Sequence, residues 1–189
     1  SLTIPAKRQF LLEFDDGTYL SITVQGWGSA QLAESGKLPS HPHVDTGAIS
    51  PVNEEFAYES FDRLFADMAP KELKVSVKQF ITSKPGSWGL GNGYLQDILF
   101  QARIDPQRKL RDLNDDDKHR LYHGIRGVVK QAVACGGRDT ELDLYGQPGR
   151  YRCIMDRRSV GTPCPSCGTS IEKISFQGGT CYFCPACQR

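Results

Sequence analysis

Two short runs rich in β-forming residues open the chain, and four stretches with apolar residues spaced for helix follow. Gln9 to Phe14 leads into Asp15-Asp16-Gly17, and Thr18 to Val24 returns. Asp-Gly between such runs predicts a β-hairpin over residues 8–24. Two strands alone make no stable sheet, so a partner sheet is expected from elsewhere, including a segment upstream of Ser1. Residues 25–52 are rich in Gly, Ser, Pro and His and read as loop. Asn53 is placed to cap a first helix with Glu54 and Glu55 in its first turn; Phe56, Phe61, Leu64, Phe65 and Met68 share its face. A second helix is expected over about 71–82, with Leu73, Val77, Phe80 and Ile81 inward. The stretch from Lys84 to Gly93 cannot be regular helix. A third helix follows it, with Tyr94, Leu95, Ile98, Leu99 and Ala102 on one side and Asp105-Pro106 as its stop. A fourth opens at Asn114, followed by Asp115, Asp116 and Asp117, and buries Leu121, Ile125, Val128, Val129 and Ala132 before Gly136-Gly137 ends it. Residues 138–160 read as mixed loop and strand.

All seven cysteines lie in the last 55 residues, which excludes a chain-wide disulfide framework. Cys164-x-x-Cys167 and Cys184-x-x-Cys187 flank a segment in which Ser170–Phe176 and Thr180–Phe183 alternate as strands do, with Gln177-Gly178-Gly179 as the turn. Two such pairs at the ends of a hairpin supply the four thiolates that zinc takes at tetrahedral corners. One structural zinc is therefore expected on Cys164, Cys167, Cys184 and Cys187, standing in for a core that so short a segment lacks. Cys181 also pairs with Cys184 at this spacing; Pro185, which matches Pro165 in the first pair, favours Cys184 with Cys187. Cys135 and Cys153 read as plain buried thiols. His119 and His123 stand four apart on a helix, where a solvated face is the simpler reading than a metal site.

The net charge of +1 hides an asymmetry: residues 1–69 hold 4 Lys+Arg against 10 Asp+Glu, and residues 70–189 hold 19 against 12. The basic part can face a polyanion, or the split is a chance distribution of solvated charges. No apolar run approaches the ~20 residues that span a bilayer, and no leader opens the chain, so neither membrane nor secretion is expected.

Gly89-Leu90-Gly91-Asn92-Gly93 precedes a helix, an arrangement that brings backbone amides and the helix N-terminus to an anion; alone it is more often a simple turn. With its surroundings it says more. Gly-Leu-Gly-Asn-Gly-Tyr-Leu-Gln-Asp-Ile-Leu-Phe, then Ile104-Asp105-Pro106, then Gly136-Gly137-Arg138-Asp139-Thr140 and a four-cysteine hairpin, resembles the formamidopyrimidine-DNA glycosylase/endonuclease VIII family. The resemblance covers the chain as the C-terminal two-thirds of such a protein. It implies an α+β fold: partial β-sandwich strands and linker over 1–50, a helix–two-turns–helix domain over 51–150, and a zinc-finger hairpin over 151–189. It further implies an intracellular, cytoplasmic and nucleoid-associated monomer that binds double-stranded DNA, damaged or abasic, and excises bases with lyase action at abasic sites. Asn92, beside Gly91, matches the family's phosphate-binding asparagine. Lys78 matches a lysine on the phosphate of the damaged nucleotide, the alternative being a solvated helix lysine. Trp27 falls where the family carries an aromatic wedge, the alternative being a buried or loop tryptophan.

The departures bear on catalysis. The family's nucleophile is an N-terminal proline followed by glutamate, whereas this chain starts Ser1-Leu2, and the amide nitrogen of Pro5 cannot attack. Gly179 stands where the family's zinc hairpin has a phosphate-contacting arginine, and Gln25-Gly26 precede Trp27 where arginines are usual. A non-catalytic nucleic-acid-binding relative and a protein-interaction zinc module are the alternatives to a repair enzyme.

Overall fold

The computed structural model describes residues 4, 6–23, 34–37, 49–83 and 88–189. It divides into two compact units, residues 1–44 and 45–189. The first holds an antiparallel hairpin of β1 (Phe10–Glu13) and β2 (Tyr19–Ile22), in register from Phe10 with Ile22 to Glu13 with Tyr19. Phe14 N–H donates to Thr18 O, Gly17 N–H donates to Phe14 O, and Gly17 takes φ +79°, so Asp15-Asp16-Gly17 forms the expected three-residue loop. Leu12 and Phe14 remain exposed.

The second unit is α+β. It contains α1 (Tyr58–Ala66), α2 (Val77–Thr82), α3 (Asn92–Ala102) and α4 (Asp115–Ala134), with a closing hairpin of β3 (Glu172–Phe176) and β4 (Gly179–Phe183). α3 is central: it packs on α4 along one side and on β4 along another. Its Leu95, Ile98 and Leu99 join Phe61, Phe80, Ile81, Leu121 and Ile125 in the main core, while Phe100 joins Met155, Ile171, Cys164 and Cys184 in a second, smaller one. The two helices approach closely at Gly124, where a Cβ would stand 2.9 Å from Ile98 O. Glycine permits that approach because anything larger meets backbone. No helix among the described residues is long and apolar enough to cross a membrane.

α4 starts as expected: Asn114 accepts from Asp117 N–H and Asp117 accepts from Asn114 N–H, a reciprocal capping box. It closes at Gly136, with Gly137 N–H donating to Ala132 O and Gly136 N–H to Val133 O. Two helix starts differ from expectation. α1 begins at Tyr58 rather than after Asn53. The Phe56 carbonyl accepts from Tyr122 Oη at 2.8 Å and Arg126 at 2.7 Å, and Glu54 pairs with Arg126 and Lys130, so contacts to α4 outcompete a first turn at Asn53. The expected helix over 71–82 splits into a 3₁₀ turn at Glu72–Lys74 and α2. Between them Ser76 pairs with Lys109 in an isolated bridge and Val75 O accepts from Leu110 N–H; Ser76 then caps α2 by accepting from Gln79 N–H.

Candidate metal centre and nucleic-acid interface

The β3–β4 register pairs Phe176 with Gly179, which places Gly179 in the strand and leaves a two-residue turn, Gln177-Gly178, at φ +48° and +73°. Both signs suit the type I′ turn that tight hairpins favour. At the open end, Gly168 N–H donates to Cys164 O and Gln188 N–H to Cys184 O, each folding a Cys-x-x-Cys knuckle. The Sγ atoms of Cys164, Cys167, Cys184 and Cys187 lie within 4.8 Å of one another, and this set can hold a metal ion. Cys164 and Cys187 are 3.8 Å apart and Cys167 and Cys184 3.5 Å. A tetrahedron of sulfurs about 2.3 Å from zinc has edges of about 3.8 Å, so the donor set fits that ion. Cys181 faces away from it: it is fully buried in β4 and near Lys78 and Gln96. Hydrogen bonds from Thr169 hold Cys167 down to about 6, while the hydrogen bond to Cys167, then burial, pushes Cys187 up to about 12. Cys153 is buried, with its thiol raised to about 11 by burial, whereas Cys135 is only half-buried. His119 is exposed and stacks on Tyr58 at 3.7 Å, and no third ligand joins it and His123 among the described residues.

The turn of this hairpin meets the start of α3. Lys78 is 4% exposed and its Nζ donates to Phe176 O at 2.5 Å. That is no solvated helix lysine. Gly91, not Asn92, is the N-cap of α3; Asn92 is the first helical residue, and its Nδ2 donates to Thr180 O at 3.0 Å. Gln96, one turn on, donates to Asn92 Oδ1 and accepts from Tyr182 N–H, and so stitches α3 to β4. A Cβ on Gly179 would lie 3.3 Å from Lys78 Nζ and 3.6 Å from the Asn92 amide. Lys78 and Asn92 meet hairpin partners 98 and 88 residues away in sequence, and thus share one spot with the turn at a helix N-terminus, where partial positive charge favours an anion. Gly91 is exposed there with nothing within 4 Å of its Cβ position. Trp27 lies outside the described residues.

Three features were not legible as site residues. Arg138 lies against Gly93, whose Cβ would meet its guanidinium, and borders a cleft of about 380 Å³ beside Asn92 and Thr140. It is held by Glu141 at 2.9 Å and lies over the Tyr94 ring. Burial, then the hydrogen bond to Glu141, raises Tyr94 to about 12. Asp97, fully buried in α3, accepts from Tyr151 Oη at 2.7 Å, Ile154 N–H at 3.0 Å and Met155 N–H at 2.7 Å, docking the segment that leads to the knuckles. Gln188 accepts from Cys184 N–H and donates to Ile104 O, tying the second knuckle to the end of α3. A lone acid or glutamine among polar neighbours carries no sequence signal for such a role.

Residues 48–143 match the family described as formamidopyrimidine-DNA glycosylase H2TH domain. The chain is similar to the formamidopyrimidine-DNA glycosylase of Thermus thermophilus, at 34% identity over 143 residues, 73% of this chain and 52% of that protein. It aligns with a crystal structure of the MutM (Fpg) protein from Thermus thermophilus at TM-score 0.70 and 31% identity, covering 81% of this chain and 57% of the other. A complex between Lactococcus lactis Fpg and DNA containing an abasic site aligns at TM-score 0.63 and 25% identity, covering 74% and 51%. The chain spans about half the length of these relatives.

Proposed function

Because the chain belongs to the formamidopyrimidine-DNA glycosylase family, we propose that it is the DNA-gripping part of a repair protein that acts on damaged bases or abasic sites in duplex DNA. The observation that carries this reading is the convergence of Lys78, Asn92 and the Gln177-Gly178 turn at the start of α3. There the amides around Gly91 and Asn92, the Asn92 side chain and the Lys78 ammonium take a backbone phosphate of the target strand. Cys164, Cys167, Cys184 and Cys187 hold one zinc, whose four thiolate bonds fix the hairpin so that its turn reaches Lys78. Trp27 serves as the wedge that enters the base stack. Residues 1–50, 51–150 and 151–189 act as sandwich remnant with linker, helical DNA-binding domain and zinc hairpin. The protein works as a monomer inside the cell, in the cytoplasm with the nucleoid. The excision chemistry needs an amine at the sugar C1′, and in this reading a proline–glutamate pair upstream of Ser1 provides it. Gly179 offers no side chain to a phosphate, so the hairpin contributes backbone only.

Fluorescence anisotropy with a duplex carrying an abasic-site analogue tests this. Affinity is expected to fall linearly in log–log form with salt, and Lys78→Ala to flatten that slope by about one phosphate contact, roughly 0.9. Asn92→Ala should weaken binding with little change in slope. A metal-replete chain that fails to bind duplex at low salt overturns the reading and leaves a protein-interaction module.

A further inference from the structure

α3 ends in an unusual way. Ile104 N–H donates to Leu99 O and Arg103 N–H to Phe100 O, and Arg103 holds φ +59°. In that closing pattern the left-handed position is ordinarily glycine, because a side chain there is strained. The strained residue carries a guanidinium into a cleft of about 510 Å³, which Arg103 lines with Arg108, Arg120, Arg189, Ala186 and Cys187.

Asp117 pairs with two of these four guanidiniums. Its side chain is 3% exposed; it accepts from Arg108 at 2.6 Å and from Arg120. Arg108 also donates to the main-chain oxygens of Asp112 and Arg189, and Arg120 to Ala102 O, so the fold fixes both. Of the neighbouring acids, Asp112 pairs with Arg111, and Asp105 keeps its charge while accepting from Gln107 N–H. Arg103 and Arg189 are exposed and have no ion-pair partner among the described residues. Arg103 and Arg189 thus leave two unpaired guanidiniums at one concavity, whose rim also holds Cys187 of the thiolate set, and two adjacent forks suit an oxyanion with several oxygens better than a single carboxylate. Planar guanidinium forks match phosphate oxygens two at a time. No aromatic ring among the described residues lines the cleft, so it offers a nucleobase no stacking surface there. The eleven residues of α3 put it about 16 Å from Asn92 along the helix axis. It is a separate place.

We propose that Arg103, Arg108, Arg120 and Arg189 form a second anion site that takes a phosphate group, either free inorganic phosphate or pyrophosphate, or the phosphodiester of a polynucleotide lying against this end of the helix. The site stands independently of the DNA reading at the other end of α3.

Calorimetric titration of the metal-replete chain with pyrophosphate at fixed ionic strength is the test, with acetate as the control. Pyrophosphate should bind and acetate should not. Arg103→Gly removes a guanidinium while suiting the backbone, so it should weaken pyrophosphate binding by about tenfold or more without lowering Tm. Should that variant lose stability, Arg189→Gln decides in its place. Any pyrophosphate taken by the Lys78 end of α3 is read separately: Lys78→Ala should keep the component of the isotherm that Arg103→Gly weakens. If the Arg103→Gly duplex salt slope is unchanged the site serves a free phosphate, and if it falls by about one it serves a phosphodiester; either supports the site. No pyrophosphate binding by the unaltered chain, or an isotherm that neither arginine substitution weakens, overturns it.

Discussion

Replacing Asp97 puts the joint between helical core and zinc hairpin to a quantitative test. The carboxylate is fully buried, as is Met155, and Tyr151 is 3% exposed, so water has little access to the Tyr151 and Met155 donors that Asp97 releases, while Ile154 is more open. Asp97→Ala orphans the Tyr151 hydroxyl and the Ile154 and Met155 amides. Each orphaned buried donor costs about 1–3 kcal/mol, and with partial relaxation the sum is about 3–5 kcal/mol, at the upper end for a single substitution. Asp97→Asn should cost less, about 1–3 kcal/mol, because its oxygen keeps the Met155 amide and the Tyr151 hydroxyl can turn to accept. Tyr151→Phe removes a donor along with its hydrogen bond and should cost about 1 kcal/mol. The double variant Asp97→Ala/Tyr151→Phe should then be less destabilised than the sum of its parts. Urea unfolding at neutral pH measures all four, with m unchanged. Burial also raises the Asp97 carboxyl above its ordinary 3.8. The folded state therefore holds the proton longer than the unfolded chain, so this group's stabilisation is complete below about 3.8 and is lost as pH rises through the folded value; Asp97→Asn should flatten that part of the profile. An Asp97→Ala loss below about 1 kcal/mol would refute the premise that these three hydrogen bonds hold the joint.

Two further outcomes follow from named contacts. Gly124→Ala improves intrinsic helix propensity by about 1 kcal/mol but drives a methyl to 2.9 Å from Ile98 O; backbone cannot yield cheaply, so Tm should fall, and a rise would mean that α3 and α4 separate freely. The chain beginning at Ser1 should form no borohydride-trapped adduct with abasic DNA, since it presents no N-terminal proline; a trapped band on a denaturing gel would reveal another amine nucleophile, such as the Ser1 amino group or a lysine.

The inner faces of the third and fourth helices could be read directly, because Leu95, Ile98, Leu99, Leu121, Ile125 and Val128 recur at the helical period and all are buried. The first hairpin turn and the Asn114 cap were equally plain, since Asp-Gly and Asn before acids each have a local cause, whereas the second turn is Gln177-Gly178 and the expected third residue, Gly179, pairs in β4. What failed was decided by distant partners. Asn53 lost its helix to the pull of Tyr122 and Arg126 on Phe56 O, and residues 75–76 lost theirs to pairing with Lys109 and Leu110. Arg103 ends α3 two residues before the expected Asp105-Pro106 stop, and nothing in an arginine announces a left-handed turn. The cysteine spacing foresaw which thiols would gather. The meeting of Lys78 and Asn92 with the hairpin turn was beyond the sequence, because it depends on how β4 lies along α3.

In the proposed reading, four sulfurs pin the open end of the hairpin whose turn forms that meeting point. Zinc quantified by elemental analysis on the purified, reduced chain, alongside Cys181→Ser and Cys187→Ser, addresses this directly. One zinc per chain is expected, kept in Cys181→Ser and lost in Cys187→Ser. A metal-free chain whose four thiols are instead joined as disulfides, or a metal that survives Cys187→Ser and leaves with Cys181→Ser, would contradict the account.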